Sequence, residues 1–411
     1  STASPRGTLS GATGYRAAAG TGSYGYWAGG TPSTNGGTKV YRVDYANDTS
    51  NFSPRGALAY PNYRQQAFSA KENGNPQVTS PYIPPNAGLQ APTQPPFLFP
   101  EQLPNPQISG YFSGGEESPS GSLYSRFQRI DYTNDTATMV EKGIMIYELK
   151  NYATGGVSSI SHGYVAGATP YHTGAARIDY SNDTDAAFHL QTGVLNYTQH
   201  VAGVSNANYG YWAGGESPSG GRTWIARIDF SNDNTGSVHN SGALALASYS
   251  QSAAGNQSYG YVISGYNPFV GRTTKYCRIN YSNDTLQAAH RGNIVYGRNF
   301  TAATGNASYG YVGGGAPEST AGTRVERIDY SNDTANALHK GNLSVGRMMF
   351  AATGNQSYGY FSGGKSDIGS FPGNTSRTDR IDYANDTANS SPKGPLLNRV
   401  ANHAAVSAAA N

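Results

Sequence analysis

Cysteine is nearly missing from this chain: Cys277 is the only one among 411 residues. An intrachain disulfide framework and a multi-cysteine zinc site are thereby excluded. Charge is scarce too, at 13% of residues, where an average soluble protein carries about 25%. The Lys and Arg residues are scattered and the net charge is only +3, which disfavours a nucleic-acid partner. No run of about 18 apolar residues is present, so no membrane insertion is expected. The sequence starts at Ser1 without a charged-then-apolar leader, as expected of a processed chain or a segment of a longer one. The eight histidines show no HxH or HExxH spacing, and no P-loop, GxSxG or kinase signature occurs. No metal or cofactor is expected. Disorder is no better a reading, because 12% aromatics with so little net charge do not make a self-repelling coil.

Glycine (53) and tyrosine (32) are abundant instead, and both recur in register. GYWAGG from Gly25 returns as GYFSGG from Gly110, GYVAGA from Gly163, GYWAGG from Gly210, GYVISG from Gly260, GYVGGG from Gly310 and GYFSGG from Gly359. Each copy is followed by a second run, such as RVDYANDT from Arg42, RIDYSNDT from Arg327 and RIDYANDT from Arg380. The repeat tyrosine stands at 26, 111, 164, 211, 261, 311 and 360, giving seven copies with steps near 50 and one long step of 85. A period near 50 fits a four-stranded propeller blade rather than a helical solenoid.

The last unit shows the four strands. Phe350 to Thr353 is a small-residue strand suited to a crowded inner edge, and Gly354-Asn355 supplies a tight turn. Tyr358 to Ser362 is the second strand, closed by Gly363-Gly364, and Arg380 to Tyr383 is the third. Asn385-Asp386 favours a turn by bonding its own backbone. The fourth strand runs through Gly394 to Arg399, and no helical period appears.

The sequence thus predicts an all-β fold: a single seven-bladed β-propeller over 1–411, with four antiparallel strands per blade, closed by terminal strands. Residues 6–24 match 340–358, and the stretch from Lys393 matches them again. The C-terminal fourth strand is expected to complete the last blade beside the N-terminal first strand. Segments 1–14 and 400–411 then read as redundant closure or linking pieces.

These units resemble the kelch repeat. Its diglycine, its third-strand tyrosine and its arginine before the next first strand are matched by Gly29-Gly30, Tyr45 and Arg64, and by Gly363-Gly364, Tyr383 and Arg399. The kelch tryptophan after the third strand is replaced by Asn-Asp-Thr, and Gly167-Ala168 and Ser264-Gly265 replace two of the diglycines. The phrases YSNDTA, KGNLS and AATGNQSYGYFSGG are similar to kelch-like structural proteins in the virions of marine cyanobacterial phages. That resemblance implies a tail or appendage component and carries no active site.

In RIDY, Ile and Tyr point to one face of the strand while Arg and Asp point to the other. Ile328 and Tyr330 are expected in one inter-blade seam, and Arg327 and Asp329 in the next. A structural ion pair is therefore expected in each repeat: Arg42 with Asp44, Arg129 with Asp131, Arg177 with Asp179, Arg227 with Asp229, Arg327 with Asp329 and Arg380 with Asp382, while Asn280 breaks the pattern after Arg278.

The loops between second and third strands vary most, and variable loops on a rigid scaffold are where binding usually sits. Their candidate contact residues are Tyr171, His172, Trp224, Tyr266, Phe269 and Phe371. The long step carries a Pro-rich insertion at 71–107, within the second expected blade, read as an extended arm docked on its own propeller or on a neighbouring subunit. Tyr82, Phe97 and Phe99 are its candidate contacts. His189, His239, His290 and His339 are one position repeated, read as packing residues whose blades diverge too far to share a metal. Cys277 has no His pair near it in sequence, unlike copper-dependent propeller oxidases.

The expected function is non-enzymatic: a structural or attachment protein of a phage virion, extracellular. Its partners would be other virion or appendage proteins, a host-surface glycan, or further copies of itself. The alternatives are a secreted bacterial lectin-like adhesion module and, behind it, a propeller enzyme.

Overall fold

The computed structural model describes residues 17–20, 24–28, 37–44 and 53–62, and from 108 to 407 all but 119, 121, 146–154, 168–173, 191–194, 196–197, 234–237, 318–321 and 367–372. The chain divides into two compact units, Ser1–Phe97 and Leu98–Asn411. The first holds one four-stranded antiparallel sheet in chain order, built from Ala17–Gly20, Tyr24–Ala28, Gly37–Asp44 and Ser53–Asn62.

The second unit is a β-propeller of six blades. Blade one is Ala404–Ser407, Ser109–Ser113, Arg126–Asp131 and Val140–Ile144. Blade two is Gly155–Ser158, His162–Ala166, Ala175–Asp179 and Phe188–Leu190. Blade three is Ala202–Ser205, Tyr209–Ala213, Gly220–Asp229 and Val238–Ser248. Blade four is Ser252–Gly255, Tyr259–Ile263, Lys275–Asn280 and Ala289–Asn293. Blade five is Ala302–Gly305, Tyr309–Gly313, Arg324–Asp329 and Leu338–Asn342. Blade six is Ala351–Gly354, Tyr358–Ser362, Thr378–Asp382 and Ser391–Lys393. The innermost strand of each blade packs on that of the next, and blade six returns to blade one.

The seven-bladed expectation is therefore corrected to six. Ala404–Ser407, part of the segment read as redundant, is the inner strand of blade one and pairs antiparallel with Ser109–Ser113. The last fourth strand, Ser391–Lys393, pairs with Thr378–Asp382 in blade six. The ring thus seals between the last repeat and the second. The first repeat forms its sheet in the other unit.

Small residues bring the inner strands together. A Cβ on Gly203 would stand 2.3 Å from the Gly156 carbonyl oxygen, and one on Gly156 would stand 2.0 Å from that of Ala405. Only glycine permits such an approach of neighbouring backbones. One strand out, the repeat tyrosine and the repeat arginine are direct cross-strand partners, as in Tyr311 with Arg327 and Tyr360 with Arg380. Ile328 and Tyr330 fill the seam towards blade four together with Tyr261 and Ile263. Cys277 is buried in the seam between blades three and four.

Candidate functional site

The seams are built on the aspartate of the NDT turn. Arg129 meets Asp183, Arg177 meets Asp233, Arg227 meets Asp284, Arg278 meets Asp333, Arg327 meets Asp386 and Arg380 meets Asp135, all at 2.7–2.8 Å. Each arginine crosses to the following blade. The repeat tyrosine donates to the same carboxylate, from Tyr111 at 3.0 Å, Tyr261 at 2.8 Å and Tyr360 at 2.9 Å among others. A fourth-strand cation reaches the second oxygen in four seams: Lys142 on Asp183, Arg291 on Asp333, Lys340 on Asp386 and Lys393 on Asp135.

Burial alone would raise the Asp333 carboxyl, but hydrogen bonds from Arg291 and Tyr261 and the charge of Arg278 outweigh it and hold it below the usual range. The same balance lowers Asp135 and Asp233. Aromatic rings complete the seam: Tyr330 stacks on Tyr261 at 4.7 Å and Tyr132 on Tyr360 at 5.1 Å.

This arrangement replaces the expected pairing inside the RIDY strand. Asp131, Asp179, Asp229 and Asp329 each accept from the backbone N–H and hydroxyl of the residue two positions on, and Asp382 accepts the Ala384 N–H. The reason is local. The strand ends at this aspartate and the next residues form a tight turn, so the carboxylate caps the turn's N–H groups. Arg42 and Asp44 hold the same positions in the sheet of the first unit.

Inside the seams lies the hub. Five residues in left-handed backbone conformation precede the inner strands: His200 (φ 55°), Ser250 (56°), Phe300 (56°), Met349 (59°) and Asn402 (54°). Such a conformation costs roughly 1–2 kcal/mol per residue. A hydrogen-bonded collar offsets it: Ser250 N–H donates to His200 O, Phe300 to Ser250, Met349 to Phe300 and Asn402 to Met349, at 2.7–3.1 Å. All five residues line one cavity. His200 and Phe300, two blades apart, meet edge-on at 5.6 Å. The cavity has a volume of about 110 Å³, and inner-strand residues such as Ala202, Gly203, Ser252, Ala303 and Ala352 complete its wall.

In blades three and four the connections from second to third strand leave from the same end as the collar, because strand direction alternates and the collar sits in connections from fourth to first strand. Trp224, Tyr266 and Phe269 can be placed. Trp224 packs against the core of the seam between blades two and three. Tyr266 is half-buried with its ring 5.4 Å from Tyr249. Phe269 is 91% exposed and Val270 68%. They cap a hairpin of Tyr266–Asn267 and Gly271–Arg272. Asn267, itself buried, fixes that tip: its Oδ1 accepts the Phe269 and Val270 N–H groups and its Nδ2 donates to Ala247 O.

Tyr171, His172, Phe371, Tyr82, Phe97 and Phe99 lie outside the described residues, as does the whole insertion at 71–107. His290 and His339 are exposed on outer strands, not packed, because they stand where the fourth strand has no further neighbour. Among the described residues no group of three or more His, Cys, Asp or Glu side chains is placed to hold a metal.

The collar was missed by sequence reasoning. Two residues before five of the inner strands the repeats differ in chemistry (His, Ser, Phe, Met, Asn), and the residues on either side differ as well, so no recurring motif marks the position. Compared with known proteins, the chain matches no family model and no curated sequence.

Proposed function

We propose that this protein is a non-catalytic propeller scaffold of a phage tail or other virion appendage, docking to other virion proteins or to a host-surface glycan through its loop face. The supporting observation is the Phe269–Val270 tip, a large apolar pair held out on a hairpin by a buried asparagine. A phenylalanine displayed in this way covers no core of its own, and a contiguous exposed apolar tip marks an interaction site. The six clamped seams supply the rigid base that such a contact needs.

Mass spectrometry of purified virions and appendages tests the assignment. The protein is expected among their components, and its absence from both would overturn the reading. Phe269→Ala then tests the surface: it should leave the fold intact and abolish incorporation or adsorption.

A further inference from the structure

The ring is sealed at a joint unlike its other blades. In blades two to six a short turn joins the inner strand to the second strand, whereas in blade one Ala404–Ser407 and Ser109–Ser113 come from opposite ends of the second unit's sequence and meet by pairing alone. His403 stands immediately before the sealing strand and is 3% exposed. A Cβ on Gly363 of blade six would stand 2.5 Å from its Cε1, and one on Gly115 of blade one 3.0 Å from its Cβ. The Phe112 ring of blade one lies 5.9 Å away. The imidazole is thus wedged between the two blades that the joint holds together. Neither ring nitrogen makes a hydrogen bond among the described residues. At the same place in the repeat stand Val201, Gln251, Thr301 and Phe350, so of these five positions only the one at the joint titrates in the physiological range.

The groups around His403 leave no place for a second cation. The connection into blade six brings Arg347, fully buried, held by Asp379 at 3.0 Å and by the Phe361 carbonyl at 2.9 Å. Asp379 is already committed, because it balances Arg347 and accepts the Ser344 N–H. Glu116, Glu117 and Lys365, which follow the two diglycines, are part-exposed. The cavity lining on the hub side holds one other titratable group, His200, and no carboxylate among the described residues. We propose that His403 is an acid latch: its protonation releases Ala404–Ser407 from blade one and opens the ring at this joint. A cation at this position has no counter-charge of its own and faces Arg347. Burial, with the Arg347 charge added, pushes the closed-state value down to about 3 against the Ser362 backbone, which favours the charged form. Once the strand is released the imidazole is in water and returns to about 6.5. The closed joint is therefore fully stabilised above about 6.5 and loses that contribution as pH falls towards the closed-state value. Its opening constant should rise about thirtyfold between pH 8 and pH 5. This is a local release at one joint, distinct from docking by the loop tip, and it holds for the isolated protein whatever the virion assignment.

Hydrogen exchange on the full chain at pH 8 and pH 5, corrected for the intrinsic pH dependence of exchange, tests the latch. The opening constant of residues 404–407 and 109–113 should rise by that factor at pH 5, while residues 302–305 of blade five keep theirs, and return to pH 8 should restore protection. His403→Gln and His403→Val copy Gln251 and Val201, and both should remove the rise, whereas His200→Gln should keep it. NMR of the His403 ring in the unaltered protein gives a readout that needs no variant: the closed form should still show a neutral imidazole at pH 5. Four outcomes would overturn the proposal: no rise at 404–407 and 109–113, an equal rise in every inner strand, a rise that survives in a folded His403 variant, or a ring that titrates near 6.5 in the closed form.

Discussion

Arg380 and Asp135 are 245 positions apart in the chain and meet at 2.7 Å. Five other seams repeat that contact between consecutive repeats at separations of 54–59 positions. The long-range copy turns a linear array into a ring. Tyr360 and Lys393 converge on the same carboxylate, so the closing seam has the full chemistry of the others.

Removing that carboxylate should therefore open the ring at its join. Asp135→Ala leaves Arg380 and Lys393 facing each other without a counter-charge, and losing one partner of such a pair costs about 3 kcal/mol. Urea unfolding reads it as a lower midpoint, with early exposure of residues 404–407 to hydrogen exchange. A change below about 0.5 kcal/mol would mean the seam is merely a surface contact.

Stability should fall in two acid steps. His200 and His403 have folded-state values pushed down to about 4 and about 3. Being depressed, they stabilise fully above the unfolded histidine value of about 6.5, and that contribution is lost as pH falls below it towards the folded values. Asp135, Asp233 and Asp333 are also depressed, so their stabilisation is intact above the unfolded carboxylate value of about 3.9 and is lost below it. Denaturation midpoints at pH 7, 5 and 3 follow this: the fall between pH 7 and 5 belongs to the histidines, and the fall between pH 5 and 3 adds the carboxylates to them. In His403→Gln, which copies Gln251 at the same place in the repeat, the step between pH 7 and 5 should shrink.

Two glycine substitutions should differ sharply. A Cβ on Gly341 would stand 1.9 Å from the Ala388 carbonyl oxygen, whereas Gly271 has nothing within 4 Å and a φ of 82°. Gly341→Ala must push blades five and six apart and should cost more than about 3 kcal/mol, beyond the usual range for a point change. Gly271→Ala should cost only the backbone strain, about 1–2 kcal/mol. Equal melting temperatures for the two would contradict the packing described.

Asn267→Ala should loosen the loop tip without unfolding the ring. It removes one donor and one acceptor that hold Phe269, Val270 and Ala247, a loss of about 1–3 kcal/mol for buried polar groups left unpaired. Hydrogen exchange should rise over 266–272 and stay unchanged in the inner strands.

Much of this was legible in the residues. The four strands per repeat follow from the alternation around GYFSGG and RIDY, and the small inner strand from AATG. The number of blades was not legible. Each repeat's tyrosine and arginine fit the turn aspartate of any other repeat, so the seam specifies adjacency and leaves ring size open. First-strand sequence at both ends left the closure equally open. The arginine's partner was misjudged because two aspartates follow it, at the second and sixth positions, and only three dimensions show that the first caps a turn while the second receives the preceding blade. The hub escaped notice because its positions vary, and sequence repeats draw attention to what stays constant.

The closing strand offers the most direct measurement. Ser113 and Ala404 are paired across the strands that seal blade one, and neighbours in such a pair lie within about 4.5–5.5 Å, inside disulfide range. In a Cys277→Ser background, Ser113→Cys/Ala404→Cys should oxidise quantitatively to one intramolecular crosslink that joins residues 113 and 404 in the peptide map of the monomer. Free thiols under the same oxidation, or a crosslink found only between chains, would contradict a six-bladed ring sealed by its own C-terminal strand.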